Sequence, residues 1–583
     1  MSTVISQTSS SPSSSSSTSA VVASIDELPV GSLRMVRVGD RRVCLVRTSA
    51  GVFALDHACP HEGYGLTQGS LDGELLTCAW HNWKFRVGDG ACVLGEEGVR
   101  THRVDVGADG SVRVAIDEPD PADERDRLFA SLDRAIEKDR LGQTARDAVR
   151  LLRASADPGE VVWRAIAHGA PRNEFGWGHS VASAADCLAM VEHYDGDERA
   201  LPIVQAIANL SEEARDRPVR PLPDPVRSLP GDPSAAFRRA VEEERLEEAE
   251  ALVLGAIEAG LDADALRSWF TTAVSDHHLS YGHGAIYAQK AFELLDRLGW
   301  DRAPTVLPHL VPSIVYGTRE DTLPYMRPFV RALGDVDLGA LADVGTVADW
   351  DDEGGVLRDA VLGADRTAPL SAAVRALRDG AGVDRLLDVV VAAVSERLLR
   401  YDLAGELDFD DDFGWLDITH GLTYADAARW HHAGAPGPDT VRLALWCVFQ
   451  AHWTGRHEWH TTVGPNALYD GVASSGPATT EELVAACREH RPDAAVAAAA
   501  GLPLTDAAST LQHAALLDGT TAPIVHAHAV KTSRAAAREA ARSGSVLPLA
   551  ATARFVAAPK LERFVAATVT RSIEFVAGRR PEE

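Results

Sequence analysis

Two kinds of hydrophobic pattern divide this chain of 583 residues. Between residues 24 and 117, apolar and polar side chains alternate in short runs such as LRMVRV, RVCLVRT and SVRVAI. Runs of this period, separated by Gly-Asp and Asp-Gly pairs, predict a small β domain. From residue 127 onward, apolar residues recur at helical spacing, as in AIYAQKAFELLDRL and LLDVVVAAVSERLL. The pattern therefore predicts a multidomain protein in which a small all-β domain is followed by a large all-α domain.

Two segments follow neither pattern. Residues 1–23 are rich in serine and lack the basic region and apolar core of a signal peptide, which predicts a disordered tail. Residues 118–126, EPDPADERD, are acidic and contain proline, which predicts a linker. The predicted order is thus a tail (1–23), a β domain (24–117), a linker (118–126) and an α domain (127–583).

Charge and composition exclude several classes of function. A net charge of −28 predicts that the protein has no nucleic-acid partner, because such a partner requires a basic stripe. The same charge disfavours anionic membrane surfaces, and no apolar run is long enough to predict a membrane span. Two of the seven cysteines belong to the motif described next, and the other five are scattered without pairing spacings. This sparse usage predicts a cytoplasmic protein in a reducing compartment.

The most specific chemical feature is a pair of Cys/His half-sites in the β domain. They are Cys59-Pro60-His61 and Cys78-Ala79-Trp80-His81, with sixteen residues between them. Each offers one thiolate and one imidazole, and two histidines replace two cysteines on one iron in one class of [2Fe–2S] centre. A structural zinc site would use the same ligand types at other spacings. The sequence therefore predicts a [2Fe–2S] cluster bound by Cys59, His61, Cys78 and His81.

The segment around these half-sites resembles a Rieske-type ferredoxin domain. The family pattern is met at Cys59, Pro60, His61, Gly63, Leu66, Gly69, Cys78, Trp80, His81, Phe85 and Gly90. The resemblance implies a one-electron carrier with Cys59 and Cys78 on one iron, His61 and His81 on the other, and a reductase as electron donor. Respiratory members carry an additional disulfide where this chain has Tyr64 and Trp80, so the resemblance favours the oxygenase-associated branch. Asn82 replaces a usual glycine, and asparagine tolerates left-handed backbone.

Histidines followed by small residues recur in the helical region. The pattern occurs at Gly178-His179-Ser180, Gly282-His283-Gly284 and Thr419-His420-Gly421, and His513 and His528 are further candidates. In a bundle, similar helices would point several imidazoles into one interior, where they suit iron, zinc or copper. A small neighbour would let another backbone or a ligand approach closely. The alternative for each is an ordinary core histidine.

We therefore expect a second metal site, a mononuclear iron, among His179, His283, His420, His513, His528 and Lys531. Lys531 lies three residues after His528 on the same helical face, and could complete the site only as a desolvated or carbamylated lysine. The alternative for Lys531 is a surface cation. The aromatic segment WCVFQAHWTGRHEWHTTVG could line a cavity for a flat substrate or form a buried helix pair.

The segments YGHGAIYAQKA, THGLTYADAA and HAHAVKTSRAA resemble the questin-oxidase-like family, helical proteins associated with oxidative cleavage of polycyclic aromatic polyketides. The resemblance implies an aromatic or polyketide-like substrate and the same six ligand candidates. Together with the cluster motif, it predicts an iron–sulfur oxidoreductase. The favoured form is an oxygenase in which the Rieske cluster feeds electrons to a histidine-bound metal.

Two other interpretations remain open. The spacing of His278 and His283 resembles that of Rieske ring-hydroxylating oxygenase α-subunits, and Asp411 or Asp417 could complete a facial triad of His278, His283 and Asp417. That family has a helix-capped antiparallel sheet, whereas the pattern here is helical. The other interpretation is an electron-transfer Rieske ferredoxin fused to a non-catalytic helical scaffold. The test is whether His179, His283 and His420 converge.

Overall fold

The computed structural model describes residues 18–116, 121–404, 406, 414–458, 466–560 and 569. Strands occupy the first of these segments and helices the remainder, which confirms the predicted order of a β domain and a large helical region. The chain forms two compact units. One comprises the described residues through Ala135 together with Arg140–Ala156, and the other Ile136–Asp139 with the described residues from Asp157 onward. Within the described segments, no helix is long and apolar enough to cross a membrane.

The strands of the first unit form two sheets with antiparallel pairing. They are β1 (Thr18–Ser24), β2 (Leu33–Val38), β3 (Arg41–Arg47), β4 (Val52–Asp56), β5 (Ser70–Asp72), β6 (Leu75–Thr77), β7 (Lys84–Arg86), β8 (Cys92–Leu94), β9 (Thr101–Val106) and β10 (Ser111–Ile116). The larger sheet has the order β1-β10-β9-β4-β3-β2, and the smaller has the order β5-β6-β7-β8. In β10, alternation buries Val112 and Val114 in one apolar core. A second core contains Phe85 and both motif cysteines, Cys59 and Cys78.

The first unit begins before the predicted boundary. Residues 18–23, which we expected in the disordered tail, form most of β1, while residues 1–17 lie outside the described residues. β1 pairs with β10 along its whole length, from Thr18 opposite Ile116 to Ser24 opposite Ser111. The sequence TSAVVAS has too few large apolar residues to show an alternating pattern next to a serine run. Its place in the sheet depends on backbone pairing with β10, which periodicity does not reveal.

The described part of the predicted linker also has regular structure. Residues 121–126 start helix α1 (Pro121–Glu137), and residues 118–120 lie outside the described residues. Proline is tolerated in the first turn of a helix, and the acidic Asp123 and Glu124 interact favourably with the helix dipole there. The acidic, proline-containing composition is therefore a helix start in this chain.

Helix α2 (Leu141–Arg153) contacts the β domain through the buried carboxylate of Glu97. Arg146 Nε donates to Glu97 Oε2 at 2.7 Å, and Arg150 Nη1 donates to Oε1 at 2.6 Å. The Glu97 side chain is only 9% exposed, so both ion pairs are shielded from solvent on one side. The β domain and α2 are therefore one folding unit, which extends to residue 156.

We expect a fragment of residues 18–156 to be more stable than a fragment of residues 18–117. The shorter fragment lacks both arginines, so Glu97 loses two ion pairs that are only partly exposed, and we expect a loss of about 1 kcal/mol. Urea unfolding monitored by circular dichroism would measure the difference. Glu97→Gln in the longer fragment is the control, since it removes the charge while keeping both helices. Equal free energies of unfolding for the two fragments would contradict the assignment of α2 to this unit.

The second unit is helical. Its helices are α3 (Pro158–Gly169), α4 (His179–Met190), α5 (Ala200–Ala214), α6 (Pro233–Glu242), α7 (Leu246–Glu258), α8 (Ala263–Ser275), α9 (His283–Leu298), α10 (Ala303–Val315), α11 (Arg327–Gly334), α12 (Leu338–Ala342), α13 (Val356–Leu362), α14 (Ala368–Arg378), α15 (Gly382–Arg400), α16 (Gly414–Gly434), α17 (Pro438–Trp453), α18 (Ala467–Val472), α19 (Thr480–Arg488), α20 (Pro492–Gly501), α21 (Leu504–Leu516), α22 (Pro523–Ser543) and α23 (Leu547–Ala557). Four of them form a closed bundle, because α4 and α16 each pack against both α9 and α22. These four helices carry the histidine motifs.

Candidate metal sites

The first candidate site lies on two loops of the β domain. One loop follows β4 and carries Cys59 and His61, and the other connects β6 to β7 and carries Cys78 and His81. Both thiols are buried, with each cysteine 2% exposed. His61 Nδ1 and His81 Nδ1 face each other across the loops at 2.9 Å. The structure thus brings together all four residues that the sequence predicts as cluster ligands.

The two loops have the same backbone design. The amide of Cys59 donates to the carbonyl of Tyr64 at 2.9 Å, and the amide of Cys78 donates to the carbonyl of Trp83 at 2.8 Å. In each loop the residue before the acceptor is left-handed: Gly63 has φ 74° and Asn82 has φ 62°. Asn82 is therefore the counterpart of Gly63, and its φ confirms that asparagine can adopt the conformation this loop needs.

Aromatic side chains interlock the two loops. The ring of His61 stacks on Trp83 of the other loop, with centroids 4.8 Å apart. Reciprocally, Trp80 stacks on Tyr64 at 5.5 Å, and its indole N–H donates to Glu62 at 3.2 Å. Tyr64 and Trp80 occupy the positions where respiratory members would carry a disulfide. Stacking thus holds the two loops together where a covalent bond would do so in those proteins.

The donor set of these loops fits an iron–sulfur cluster. Burial, with a smaller contribution from the neighbouring Cys78 thiol, raises the pKa of the Cys59 thiol to about 11. Thiolates at this place therefore need a compensating cation, which two irons would supply. Two imidazole nitrogens at 2.9 Å can share at most one proton in a hydrogen bond, whereas an iron would bind both lone pairs. The [2Fe–2S] cluster and these four residues are thus chemically matched.

The second candidate site is a cluster of four histidines and a lysine inside the helical bundle. We call it the histidine cluster: His179 of α4, His283 of α9, His420 of α16, and His528 and Lys531 of α22. His420 Nε2 lies 2.8 Å from His283 Nε2 and 3.2 Å from His528 Nε2. Lys531 Nζ lies 2.8 Å from His179 Nδ1. The ring of His179 is 4.7 Å from that of His283 and 4.5 Å from that of His528.

Burial makes these histidines neutral. His420 and His528 are 4% and 2% exposed, Lys531 is 1% exposed, and His179 and His283 are half-buried. Burial lowers the pKa of His420 to about 3, with a further contribution from the charge of Lys531. Burial likewise holds the pKa values of His179, His283 and His528 well below the usual range. Neutral imidazoles are the form that binds metals.

Among the described residues, hydrogen bonds cannot satisfy all of the inward-facing nitrogens at the same time. His528 Nδ1 lies 2.7 Å from the carbonyl of Ile524 and must carry the proton, so its Nε2 offers a lone pair toward His420. A proton on His420 Nε2 could bond only one of its two neighbours, His283 or His528. Nitrogen atoms of His179, His283 and His528 all lie within 4.8 Å of one another. A shared metal ion would satisfy these lone pairs at once.

The small residues after the histidines have a packing role. A Cβ on Gly421 would lie 2.5 Å from a methyl group of Val394 on α15, and a Cβ on Gly284 would lie 2.9 Å from Leu279. Ser180 instead contacts the carboxylate of Glu213 through its hydroxyl. Neighbouring side chains, rather than the backbone or ligand that we expected, use the space at the two glycines.

Sequence reasoning gave no role to Tyr287, although it lies one turn after His283 in the repeated motif. Its ring stacks on His283 with centroids 4.9 Å apart, and its hydroxyl lies 3.3 Å from His179 Nδ1. The ring also faces the Lys531 ammonium at 5.8 Å. Tyr287 is 5% exposed and contacts three members of the histidine cluster. The sequence signal for this role is the aromatic residue four positions after the histidine in the repeated motif.

Comparison with known proteins identifies part of the first unit. Residues 18–104 match the Rieske [2Fe-2S] domain family. This segment is a Rieske [2Fe–2S] domain. The match confirms the predicted resemblance, and such a domain implies a [2Fe–2S] cluster. The Rieske domain begins at residue 18, at the start of β1, rather than at residue 24.

Several curated proteins share similarity over short segments. The chain is 37% identical over 71 residues to "Alkene monooxygenase system, ferredoxin component" of Xanthobacter autotrophicus, covering 12% of this chain and 57% of that protein. It is 35% identical over 69 residues to "3-chlorobenzoate-3,4-dioxygenase oxygenase subunit" of Comamonas testosteroni, covering 12% and 16%. It is 34% identical over 79 residues to "Apoptosis-inducing factor 3" of Mus musculus, covering 14% and 13%. This chain thus spans only a small part of two of these relatives and little over half of the third.

Among solved structures, the "Ferredoxin of carbazole 1,9a-dioxygenase from Nocardioides aromaticivorans IC177" is 28% identical, with 17% of this chain and 96% of that chain covered. Its TM-score is 0.16.

His513 lies apart from the contacts that define the histidine cluster. Its Nδ1 is 2.8 Å from the hydroxyl of Tyr194, and it lines an open cleft of about 830 Å³ with His193 and Arg488. His513 is on α21, whereas the helices of the closed bundle are α4, α9, α16 and α22. The structure therefore brings together five of the six residues proposed for the second site.

The alternative facial triad is not assembled. His278 is fully buried and its Nε2 faces Gln450 Oε1 at 3.1 Å, while Gln450 Nε2 donates to Asp417 at 2.9 Å. Burial would raise the pKa of Asp417, but Arg456 and His457 hold it at about 2. Gln450 therefore separates His278 from Asp417, and His283 belongs to the histidine cluster. Asp411 lies outside the described residues, and the described parts of this region are helical rather than a sheet.

Proposed function

We propose that this protein is an iron-dependent oxidoreductase, an oxygenase in which the Rieske cluster supplies electrons to a mononuclear iron held by the histidine cluster. Cys59 and Cys78 would bind one iron of the [2Fe–2S] group, and His61 and His81 the other. The observation that carries the proposal is the convergence of four neutral histidines from four different helices. Neutral imidazoles from facing helices are a recurring way to hold a metal in a bundle.

Each group of the histidine cluster has a defined part in this proposal. His283, His420 and His528 direct Nε2 atoms toward one another, and the Ile524 carbonyl fixes the orientation of His528. Tyr287 packs on His283 and contacts His179, which restricts both rings. Burial lowers the pKa of Lys531 to about 7, so a neutral or carbamylated side chain is accessible near physiological pH. An iron bound there would supply redox chemistry toward dioxygen.

We propose the substrate and the electron-donating partner from the family resemblances of the sequence and from the names of the similar proteins. Two of the relatives bear the names of oxygenase systems, an alkene monooxygenase and a chlorobenzoate dioxygenase. An aromatic or polyketide-like substrate follows from the likeness to questin-oxidase-like proteins. A separate reductase would deliver electrons to the Rieske cluster. The five cysteines outside the two half-sites form no disulfide among the described residues, and we propose a reducing cytoplasm as the compartment.

Iron quantitation on the purified full-length protein tests the proposal. We expect about three irons per chain, two from the cluster and one from the bundle. The double variant His283→Ala/His420→Ala should contain about two irons and keep the spectrum of the Rieske cluster, because it removes two of the four imidazoles of the bundle site.

His309→Ala is the matched control. His309 is also a buried helical histidine, 5% exposed, and its Nδ1 faces the carbonyl of Thr305 at 2.6 Å in the manner of His528. It should keep about three irons per chain. If the wild-type protein held only two, unchanged in the double variant, the chain would instead be an electron-transfer ferredoxin with a non-catalytic helical scaffold.

A further inference from the structure

The turn that leads into His283 has an unusual backbone. Ser280, Tyr281 and Gly282 have φ values of 45°, 59° and 92°, three consecutive left-handed residues. Glycine adopts this region freely, whereas serine and tyrosine do so at a cost in free energy. Non-glycine residues stay in such conformations only where the surroundings enforce them, and they concentrate at functional sites. The turn therefore needs an explanation at Tyr281, the bulkiest of the three.

A buried carboxylate holds Tyr281 in this conformation. Glu320 is 3% exposed, and its Oε1 accepts the backbone N–H of Tyr281 at 2.5 Å. Its other oxygen accepts the hydroxyl of Tyr325 at 2.7 Å. Next to it, the amide of Ser280 donates to Thr318 at 2.9 Å, and the amide of Thr318 donates back to the Ser280 hydroxyl at 2.8 Å. The turn is thus fixed from one side by the segment 318–325.

This conformation places the ring of Tyr281 against the histidine cluster. The ring stacks on His420 with centroids 5.6 Å apart and an interplanar angle of 26°. His420 is 4% exposed, whereas Tyr281 is half-buried. The ring of Tyr281 is therefore closer to solvent than the imidazole on which it stacks. Tyr325, on the same Glu320, stacks on Trp453 at 4.5 Å. The carboxylate of Glu320 therefore binds two tyrosines, one of which stacks on His420.

We propose that Tyr281 is a specificity-determining residue, whose ring forms a wall against which a planar aromatic substrate stacks beside the histidine cluster. This inference rests on the proposed function, because it takes the histidine cluster as the reacting centre. Glu320 acts as a positioning residue that keeps the ring in place. The backbone strain is retained because a relaxed turn would move the ring away from His420. Offset stacking of two aromatic rings supplies the recognition.

Catechol is the probe for this proposal, because its two oxygens bind ferric iron and the complex absorbs visible light. The full-length, iron-loaded, oxidised protein would be titrated with catechol without oxygen, and the dissociation constant read from the difference spectrum. Tyr281→Phe keeps the ring and should bind within about twofold of wild type. Tyr281→Gly removes the ring and relaxes the backbone, and should weaken binding about tenfold, the equivalent of about 1.4 kcal/mol. Its melting temperature should not fall, because strain relief offsets the lost contacts.

Glu244→Gly is the matched control for strain relief. Glu244 also has a positive φ, 55°, and it lies between α6 and α7, outside the histidine cluster. This variant should gain stability and bind catechol as wild type does. Unchanged catechol binding by Tyr281→Gly would overturn the proposal. It would also be overturned if Tyr281→Gly lost its bundle iron and melted at a lower temperature, because the ring would then have a structural role. A wild-type protein with two irons and no catechol band would instead refute the proposed function.

Discussion

Replacing Cys59 with serine is expected to abolish the Rieske cluster. The reduced protein should lose its rhombic electron paramagnetic resonance signal, and its iron content should fall by about two per chain. Serine is close to cysteine in size, so the hydrogen bond from the residue 59 amide to the Tyr64 carbonyl can persist. The loss would therefore report on the thiolate rather than on a collapsed loop. Spectroscopy and iron analysis of the two proteins measure it.

Cys92→Ser provides the control for this experiment. Cys92 is a half-buried thiol on β8, in contact with the same apolar core that contains Cys59 and Cys78. Its substitution should preserve the signal and the iron content, because the two half-sites remain complete. A Cys59→Ser protein with an unchanged reduced spectrum would refute the assignment of Cys59 as a ligand.

The cluster loops were predictable because their chemistry is local. Each half-site places a thiol and an imidazole within four residues, and the left-handed backbone at Asn82 follows from conformational preferences of single residues. The reciprocal stacking of His61 on Trp83 and Trp80 on Tyr64 was not predictable. It depends on how the two loops meet, and sequence spacing does not contain that information.

The histidine cluster was predictable in part, for a different reason. The repeated motif marks the starts of α4 and α9 and an early position in α16, so helices of one bundle bring His179, His283 and His420 together. His513 shares only the small following residue, and it lies on α21, outside that bundle. A motif that short identifies helices with a common packing requirement, and it does not determine which of them share an interior.

Tertiary contacts account for most of the features that the sequence did not reveal. The first unit extends beyond both of its predicted boundaries because β1 pairs with β10 and because Glu97 forms ion pairs with α2. Glu320 holds Tyr281 in a left-handed conformation from 39 residues away. Intrinsic preferences alone would disfavour that conformation for tyrosine, so such a turn is found only when its partner is known.

Arg429→Met is expected to destabilise the helical unit by about 3–5 kcal/mol, the cost of leaving a buried charge without its partner. Arg429 is 8% exposed and joins three helices of the site region. From α16 its guanidinium donates to Glu539 of α22 at 2.9 Å, and to Asp384 and Asp388 of α15 at 3.1 and 2.7 Å. Methionine fills a similar volume without the charge. Urea unfolding followed by the helical circular dichroism signal measures the change.

The destabilisation should depend on pH through Glu539. Burial raises the pKa of Glu539 from 4.5 to about 7, although Arg429 opposes the shift. Because its pKa is higher in the folded than in the unfolded state, Glu539 lowers stability as pH rises from 4.5 toward 7. Without Arg429 its folded pKa rises further, so the variant should lose more stability at pH 8 than at pH 6. An equal loss at both pH values would show that Glu539 is not the group left unpaired.

Arg542→Met tests whether the loss of stability in Arg429→Met comes from the burial of the arginine or from ion pairing alone. Arg542 contacts two of the three carboxylates that pair with Arg429, namely Asp388 and Glu539, but its side chain is 34% exposed. Solvent screens a pair at that position, so its removal should cost less than about 1 kcal/mol. Arg429 instead links the helices of His420 and His528 from the interior, where water cannot replace it. If Arg542→Met lowered the free energy of unfolding more than Arg429→Met did, the buried ion pairs between α15, α16 and α22 would not be the main contribution. Surface charge would then stabilise the packing of the histidine-bearing helices.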